Sequence, residues 1–266
     1  MDKTVGVELG ITAFGECQLE LQVAVAKTPG LVVTENLRIL HQGDELEVVE
    51  VEAPHDGRLH LVTLPDGFSQ VFYDAQVGGK AETAKTSLAD LSLYRRPSRY
   101  IESDTFGGFA LSEFEGLHEA DLLKAVSSWV GSRLLYIPGS SGPSDGAVDT
   151  LLTGAGVCRD YAHLVIALLR ALRVPARVAA VYAPGCDPMD FHAVVEAYVL
   201  GGWYAVDASA LAPRQSLVRI ATGRDAADTA FMTTTGGIAD LNWSQVRAVA
   251  DAGLPNDDLD QLVAIG

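Results

Sequence analysis

One stretch limits what this chain can fold into: Thr153-Gly-Ala-Gly-Val-Cys158-Arg-Asp-Tyr161-Ala-His-Leu164-Val-Ile-Ala-Leu168-Leu-Arg-Ala-Leu172. Apolar side chains at 161, 164, 165, 168, 169 and 172 recur at the three-and-four spacing of a buried helix face. Gly154 and Gly156 free the backbone before it, and a short turn ending in Pro175 closes it. Cys158 falls in the first turn, where unpaired N–H groups and the helix dipole favour negative charge. A thiol there is expected to give up its proton more easily than a free one, and the thiolate is the nucleophile. A buried, inert cysteine fits the same place. The stretch alone leaves both readings open.

A length of 266 residues suffices for one large domain or two ordinary ones. The 19 Lys and Arg against 35 Asp and Glu leave a net charge of −16, which argues against nucleic acid and anionic membrane as partners. Cys17, Cys158 and Cys186 are an odd and sparse set, against a disulfide framework and for a reducing compartment. Met1-Asp2-Lys3-Thr4 lacks the apolar core of a signal peptide, and the most apolar helix is too short to span a bilayer. The expected location is the cytoplasm.

Short alternating runs between residues 4 and 77, split by turns such as Pro54-His-Asp-Gly57 and Pro65-Asp-Gly67, predict an all-β, sandwich-like domain over 1–80. Gly78 to Ser87 is small and polar and reads as a flexible linker. A second unit is expected over 91–240. In it, Arg95, Arg96 and Arg99 read as a loop that pins the two domains together. A helix over 118–134 lines up Leu122, Val126, Trp129, Val130 and Arg133. After Pro175 the period changes to 2, giving strands at 176–182, 192–200 and 203–207. The tail, 241–266, reads as one or two short helices split by Gly253-Leu-Pro255.

A thiolate enzyme needs a base, usually His, and a group that orients it. His41, His55, His60 and His118 read as surface residues, and His163 lies about 500° around the helix from Cys158, pointing away. His192 differs, because it opens a strand whose neighbour ends in Asp207. A tight Gly201-Gly202 loop would set Asp207 opposite Glu196, roughly 13 Å from His192. A loop from Val199 to Gly202 would set it opposite Val194, diagonal to His192 and within reach. A three-residue loop would put the two on opposite faces. Cys, His and Asp are also zinc ligands, but no paired motif such as Cys-x-x-Cys is present, and no metal is expected.

Gly-Val-Cys158-Arg-Asp-Tyr-Ala-His, Asp-Phe-His192-Ala-Val-Val-Glu-Ala-Tyr and Gly-Gly-Trp203-Tyr-Ala-Val-Asp207 resemble, in order, the three blocks of the transglutaminase-like superfamily core. Arg96 to Asp104 and Gly223 to Asp228 resemble flanking blocks of its bacterial branch, which includes cysteine proteases and carries an N-terminal β domain. The resemblance spans most of 5–240. It implies an α+β fold with a papain-like core, in which the helix bearing Cys158 packs on an antiparallel sheet. It implies catalytic Cys158, His192 and Asp207, no cofactor, and a peptide or amide substrate, free or within a protein. Val194 stands where relatives often have an aromatic, and Ala208 where they often have Pro, which touches substrate class more than chemistry.

The Cys158 N–H should supply one oxyanion donor; Tyr136, Trp129 or a loop amide would supply the second. Asp160 reads as a helix-start structural acid. Cys186 reads as a loop thiol, or as a disulfide partner for Cys158 under oxidising conditions. Hydrolase, acyltransferase and catalytically silent scaffolding or binding module all remain compatible with these residues.

Overall fold

Alternation of apolar and polar residues builds the first unit. The computed structural model describes residues 1–266 and begins with β1 (Lys3–Ala13), β2 (Cys17–Leu21), β3 (Leu31–His41), β4 (Asp44–Glu45), β5 (Val49–Glu52), β6 (Arg58–Leu64) and β7 (Gly67–Gly79). Val5, Val7, Leu9 and Ile11 of β1 and Val71, Tyr73, Ala75 and Val77 of β7 point inward. They meet Leu19 and Leu21 of β2 and Val62 and Leu64 of β6 in one apolar core. Side chains two apart share a face of a strand, so each strand contributes one row to this interior.

The second unit follows as α1 (Leu88–Leu93), α2 (Gly107–Glu113), α3 (Glu119–Arg133), β8 (Leu135–Tyr136), α4 (Ala147–Thr153), β9 (Ala155–Gly156) and α5 (Cys158–Ala171). Then come β10 (Ala176–Tyr182), β11 (His192–Val199), β12 (Gly202–Val206), β13 (Val218–Gly223) and α6 (Ala226–Thr229). The strands form an antiparallel sheet in the order β12-β11-β10-β13. α5 lies across β10 and β11, with α2, α3 and α4 against its other sides. The fold is therefore α+β, with a helix on an antiparallel sheet beside a β-sandwich.

α5 is enclosed all round, beyond the single apolar stripe its spacing predicts: Ala162, His163, Ile166, Ala167 and Arg170 are buried as well. Arg170 is accommodated because its guanidinium donates to the carbonyls of Ala176 at 2.9 Å, Arg96 at 3.0 Å and Arg224 at 2.7 Å. Burial pulls its pKa down to about 10. These bonds, with Arg95 Nε donating to the Arg173 carbonyl at 3.0 Å, tie the arginine loop to α5 and its exit, not across to the β-sandwich.

The chain ends in β14 (Met232–Gly236) and β15 (Ala239–Ala250), which return to the sandwich. Its sheets run β15-β1-β7-β3-β4 and β14-β2-β6-β5. The expected helical tail is thus a strand over Ala239–Ala250, followed by irregular chain. The alanines there favour a helix, but only Val246 and Ala248 of the strand are buried, too few to display a period of two. Pairing with the edge of β1 overrides propensity. Beyond it, the Val263 carbonyl accepts the Ala205 N–H at 2.7 Å, so the tail covers the open edge of β12.

The sandwich and core are joined by packing and polar bonds. Tyr182, Val218 and Ile220 of the core share the sandwich interior. Tyr182 donates its hydroxyl to the Val23 carbonyl at 2.7 Å. Of residues 78–87, read as a flexible linker, Gly78 and Gly79 end β7 and 80–87 have no regular structure but are held in place. The Glu82 N–H donates to the Pro29 carbonyl at 2.8 Å, and Trp203 Nε1 donates to Thr86 Oγ1 at 2.9 Å. No helix is long and apolar enough to cross a membrane.

Candidate active site

A two-residue parallel pairing sets the first side of the site. β8 lies beside β9, with Leu135 level with Ala155 and Tyr136 level with Gly156. The Ile137 N–H donates to the Gly156 carbonyl at 3.0 Å, and the Tyr161 hydroxyl donates to the Leu134 carbonyl at 2.7 Å. Tyr136 is thereby held beside the start of α5. Tyr136 is 40% exposed, and its ring centroid lies 5.8 Å from that of Tyr161. Burial, reinforced by the Cys158 sulfur, holds the phenol proton on well above the ordinary range.

Cys158 is the first residue of α5 and is half-buried, whereas Cys17 and Cys186 are buried. The turn before it is tight. A Cβ on Gly156 would come within 2.5 Å of Asp160 Cβ, so this position takes only glycine without displacement. That approach lets the fully buried Asp160 carboxylate accept the Val157 N–H at 2.8 Å and the Ser141 hydroxyl at 2.5 Å. Arg159 donates to it as well, through Nη2 at 2.9 Å. Asp160 is therefore spent on capping the helix and tying down the 137–146 loop.

The other side comes from the sheet. β11 and β12 pair with Val199 level with Gly202, Tyr198 with Trp203 and Val195 with Val206. Leu200 and Gly201 make the turn, both with positive φ, 49° and 81°. This right-twisted turn suits a two-residue hairpin. The register is the one that brings Asp207 level with Val194, diagonal to His192. The His192 Nε2–H donates to Asp207 Oδ2 at 2.8 Å, and both residues are buried. Asp207 Oδ1 accepts the Ser209 N–H at 2.9 Å and its hydroxyl at 2.6 Å. Ser209 was not singled out by sequence reasoning. The Asp-x-Ser spacing, in which the acid bonds the backbone two residues on, is the signal that marks it.

Burial works against charge on both partners, and the pair overcomes it. Asp207, with help from the Cys158 side chain, raises His192 well above its usual value. His192 and Ser209 together hold Asp207 below the usual carboxylate range. With Nε2 committed to Asp207, Nδ1 is the ring nitrogen left for the thiol. The imidazole tautomer is thus set from behind by Asp207.

Other residues fall outside this arrangement. The Trp129 indole N–H donates to Glu113 at 2.8 Å, and its ring packs on Phe109, Phe114 and Arg133. That leaves no indole donor for an oxyanion, which corrects the expectation for Trp129. His163 Nε2 accepts the Ala226 N–H at 3.1 Å and its ring stacks on Tyr100. Burial pushes its pKa down to about 4, so it is a neutral core histidine. Cys186 donates its thiol to the Pro188 carbonyl at 3.4 Å, and burial holds that thiol above its ordinary range. No three His, Cys, Asp or Glu side chains converge as a metal cage would require.

Comparison with known proteins agrees with this frame. The transglutaminase-like superfamily model matches residues 114–208, a span that contains Cys158, His192 and Asp207. An uncharacterized protein of Mycobacterium leprae (strain TN) is 32% identical over 115 residues, 40% of this chain and 41% of that protein, so the match spans about two-fifths of the relative. A crystal structure from Cytophaga hutchinsonii, provisionally named a cysteine protease, is 30% identical. It superposes with a TM-score of 0.89 over 98% of this chain and 96% of its own. The periplasmic domain of TgpA from Pseudomonas aeruginosa is 18% identical, with a TM-score of 0.45 over 78% of this chain and 90% of its own. With the family model matched over 114–208 and the Cytophaga structure matched at 30% identity over nearly its whole length, this chain belongs to the transglutaminase-like superfamily.

Proposed function

We propose that this protein is a thiol-dependent enzyme that cleaves or transfers an amide acyl group, with Cys158 as nucleophile, His192 as acid and base, and Asp207 as its orienter. The observation that carries this reading is the buried His192–Asp207 hydrogen bond of 2.8 Å, which leaves the second imidazole nitrogen free, together with a partly exposed cysteine at a helix start. The Cys158 sulfur attacks the amide carbonyl carbon, and the carbonyl oxygen takes the negative charge. The Cys158 N–H and the Tyr136 hydroxyl supply donors for that charge. The imidazolium gives its proton to the leaving amine, and the carbon–nitrogen bond breaks to leave a thioester. Water or an amine then attacks the thioester while His192 accepts the incoming proton, and the thiol is regenerated.

Water as acceptor makes the enzyme a peptidase or deamidase, and an amine makes it a transglutaminase. Incubation with amide and peptide libraries, followed by intact-mass spectrometry, tests the proposal. A substrate-derived mass on Cys158, absent in Cys158→Ala, supports it. A folded protein that forms no adduct with any amide, and whose Cys158 reacts no faster than a free thiol, would make it a silent binding module instead. The three unpaired cysteines support a reducing, cytoplasmic location, which cell fractionation checks.

A further inference from the structure

The irregular chain after β15 runs along the edge of the sheet that carries Asp207 and is tied there at several places. Leu254 sits against Gly185, in the loop that leads to His192: a Cβ on Gly185 would come within 2.9 Å of its Cδ1. The Val263 carbonyl accepts the N–H of Ala205, two residues before Asp207, at 2.7 Å. Ile265 is 4% exposed and shares one apolar cluster with Val194, Ala205 and Cys186. β12 is the edge strand of its sheet, so its outer side has no further strand to hold it.

Among these ties stands one buried arginine. Arg214 is 5% exposed and grips both oxygens of Asp257, through Nε at 3.0 Å and Nη2 at 2.8 Å. Its backbone N–H donates to the same carboxylate at 3.0 Å, and Nη2 donates to the Asp258 carbonyl at 2.7 Å. Burial opposes the charge on Asp257, but Arg214 holds that carboxyl below the usual carboxylate range. Nη1 is left to donate to the Ala205 carbonyl at 3.1 Å. Both backbone groups of Ala205 are thus taken from outside the sheet, one by the tail and one by an arginine that the tail holds. The bond from Arg214 to Ala205 also closes residues 205–214 into a loop, and Asp207 lies within it. Asp207 and Arg214 line one small cavity with Leu259, Gln261 and Leu262 of the tail. No bond joins the two: Asp257 takes the guanidinium, and Asp207 keeps His192 and Ser209.

We infer that Arg214, held by Asp257 of the tail, is a positioning residue that fixes the end of β12 so that Asp207 stays within hydrogen-bond reach of His192. The inference rests on Cys158, His192 and Asp207 being the working groups. Asp207 follows Ala205 by two residues, so a shift of the strand at Ala205 carries over to the carboxylate, and a hydrogen bond weakens steeply with misalignment. Freed of Asp257, the guanidinium would turn its unpaired donors toward Asp207, the carboxylate that lines the same cavity, and compete with His192 for it.

An NMR titration of His192 in the full chain tests this without substrate, beside kcat and KM on whichever amide the wild type turns over. Asp257→Asn keeps the size of the side chain and removes its charge. The His192 midpoint should fall by about one pH unit as Asp207 loosens its hold. kcat should fall between about ten- and a hundredfold, as misplacement of a working group does, with KM nearly unchanged. Arg214→Lys keeps the charge but lacks the planar fork that spans Asp257 and Ala205, and should move both readouts the same way. Lys124→Ala breaks only the exposed Lys124–Asp260 tie of the same tail and should move neither. If either variant at the pair folds and melts at a lower temperature while its His192 midpoint stays at the wild-type value, the pair is structural and the inference is overturned. A wild type that forms no acyl-enzyme refutes the proposed function instead, and the His192 shift still reads the positioning.

Discussion

Replacing Glu196 with Gln removes one charge from the centre of the sheet that carries His192 and Asp207. Glu196 is fully buried, with Arg177 Nη2 at 2.8 Å and Arg219 on its other oxygen. Burial alone would raise its pKa, but the two arginines reverse this and bring it from the ordinary 4.5 to about 2. At about 1.4 kcal/mol per pH unit, that difference stabilises the folded state by about 3 kcal/mol at neutral pH. The loss of one partner from a buried ion pair independently costs about 3–5 kcal/mol. The folded pKa lies below the unfolded one, so this stabilisation is complete above pH 4.5 and is lost as pH falls toward 2. Urea unfolding of wild type and Glu196→Gln at pH 7 and pH 3 measures it. The gap should be about 3 kcal/mol at pH 7 and shrink to about 1 kcal/mol at pH 3. A gap below about 1 kcal/mol at pH 7, or one that does not change between the two pH values, refutes the reasoning.

Asp207→Asn keeps the shape but lets His192 take the wrong tautomer, so turnover should fall roughly a hundred- to ten-thousandfold; the loss of the buried charge pair lowers stability as well, thiol labelling at high pH should change little, and unchanged turnover in the folded variant would make Asp207 purely structural. Competitive alkylation near pH 6 with peptide mapping should label Cys158 well ahead of the buried Cys17 and Cys186; equal labelling of all three would sink the activated thiol. Tyr136→Phe should lower kcat by about a hundredfold, as loss of an oxyanion donor does, with KM nearly unchanged; an effect confined to KM would assign Tyr136 to substrate binding. An NMR titration should find His163 neutral down to about pH 4, so stability falls as pH drops from 6.5 toward 4; a midpoint near 6.5 would contradict its burial.

The helix from Cys158 to Ala171 was legible because helical periodicity is local: six apolar positions at the right spacing outweigh anything a distant residue adds. Strands with strict alternation, such as β6 and β7, were legible for the same reason. The family blocks around Cys158, His192 and Asp207 singled out the residues for the site. Whether two of them could touch was beyond the sequence. A hairpin's register is set by which residues turn, and Gly201-Gly202 looked like the turn, yet Leu200 takes the positive φ that side chains usually avoid. One residue's shift decides whether Asp207 reaches His192 or faces away.

Three more features depended on partners far along the chain. Ala239–Ala250 is a strand because β1 offers an open edge more than two hundred residues earlier. Trp129 is excluded because Glu113 takes its N–H. Tyr136 stands beside Cys158 because two short strands, each of two residues, happen to pair. Two residues carry no period, so no local pattern announces them. The chain's local pattern thus determined which elements form and which side chains carry chemistry. Tertiary structure decided which of those side chains meet, because hydrogen bonds between distant segments are chosen only once the apolar core has brought those segments together.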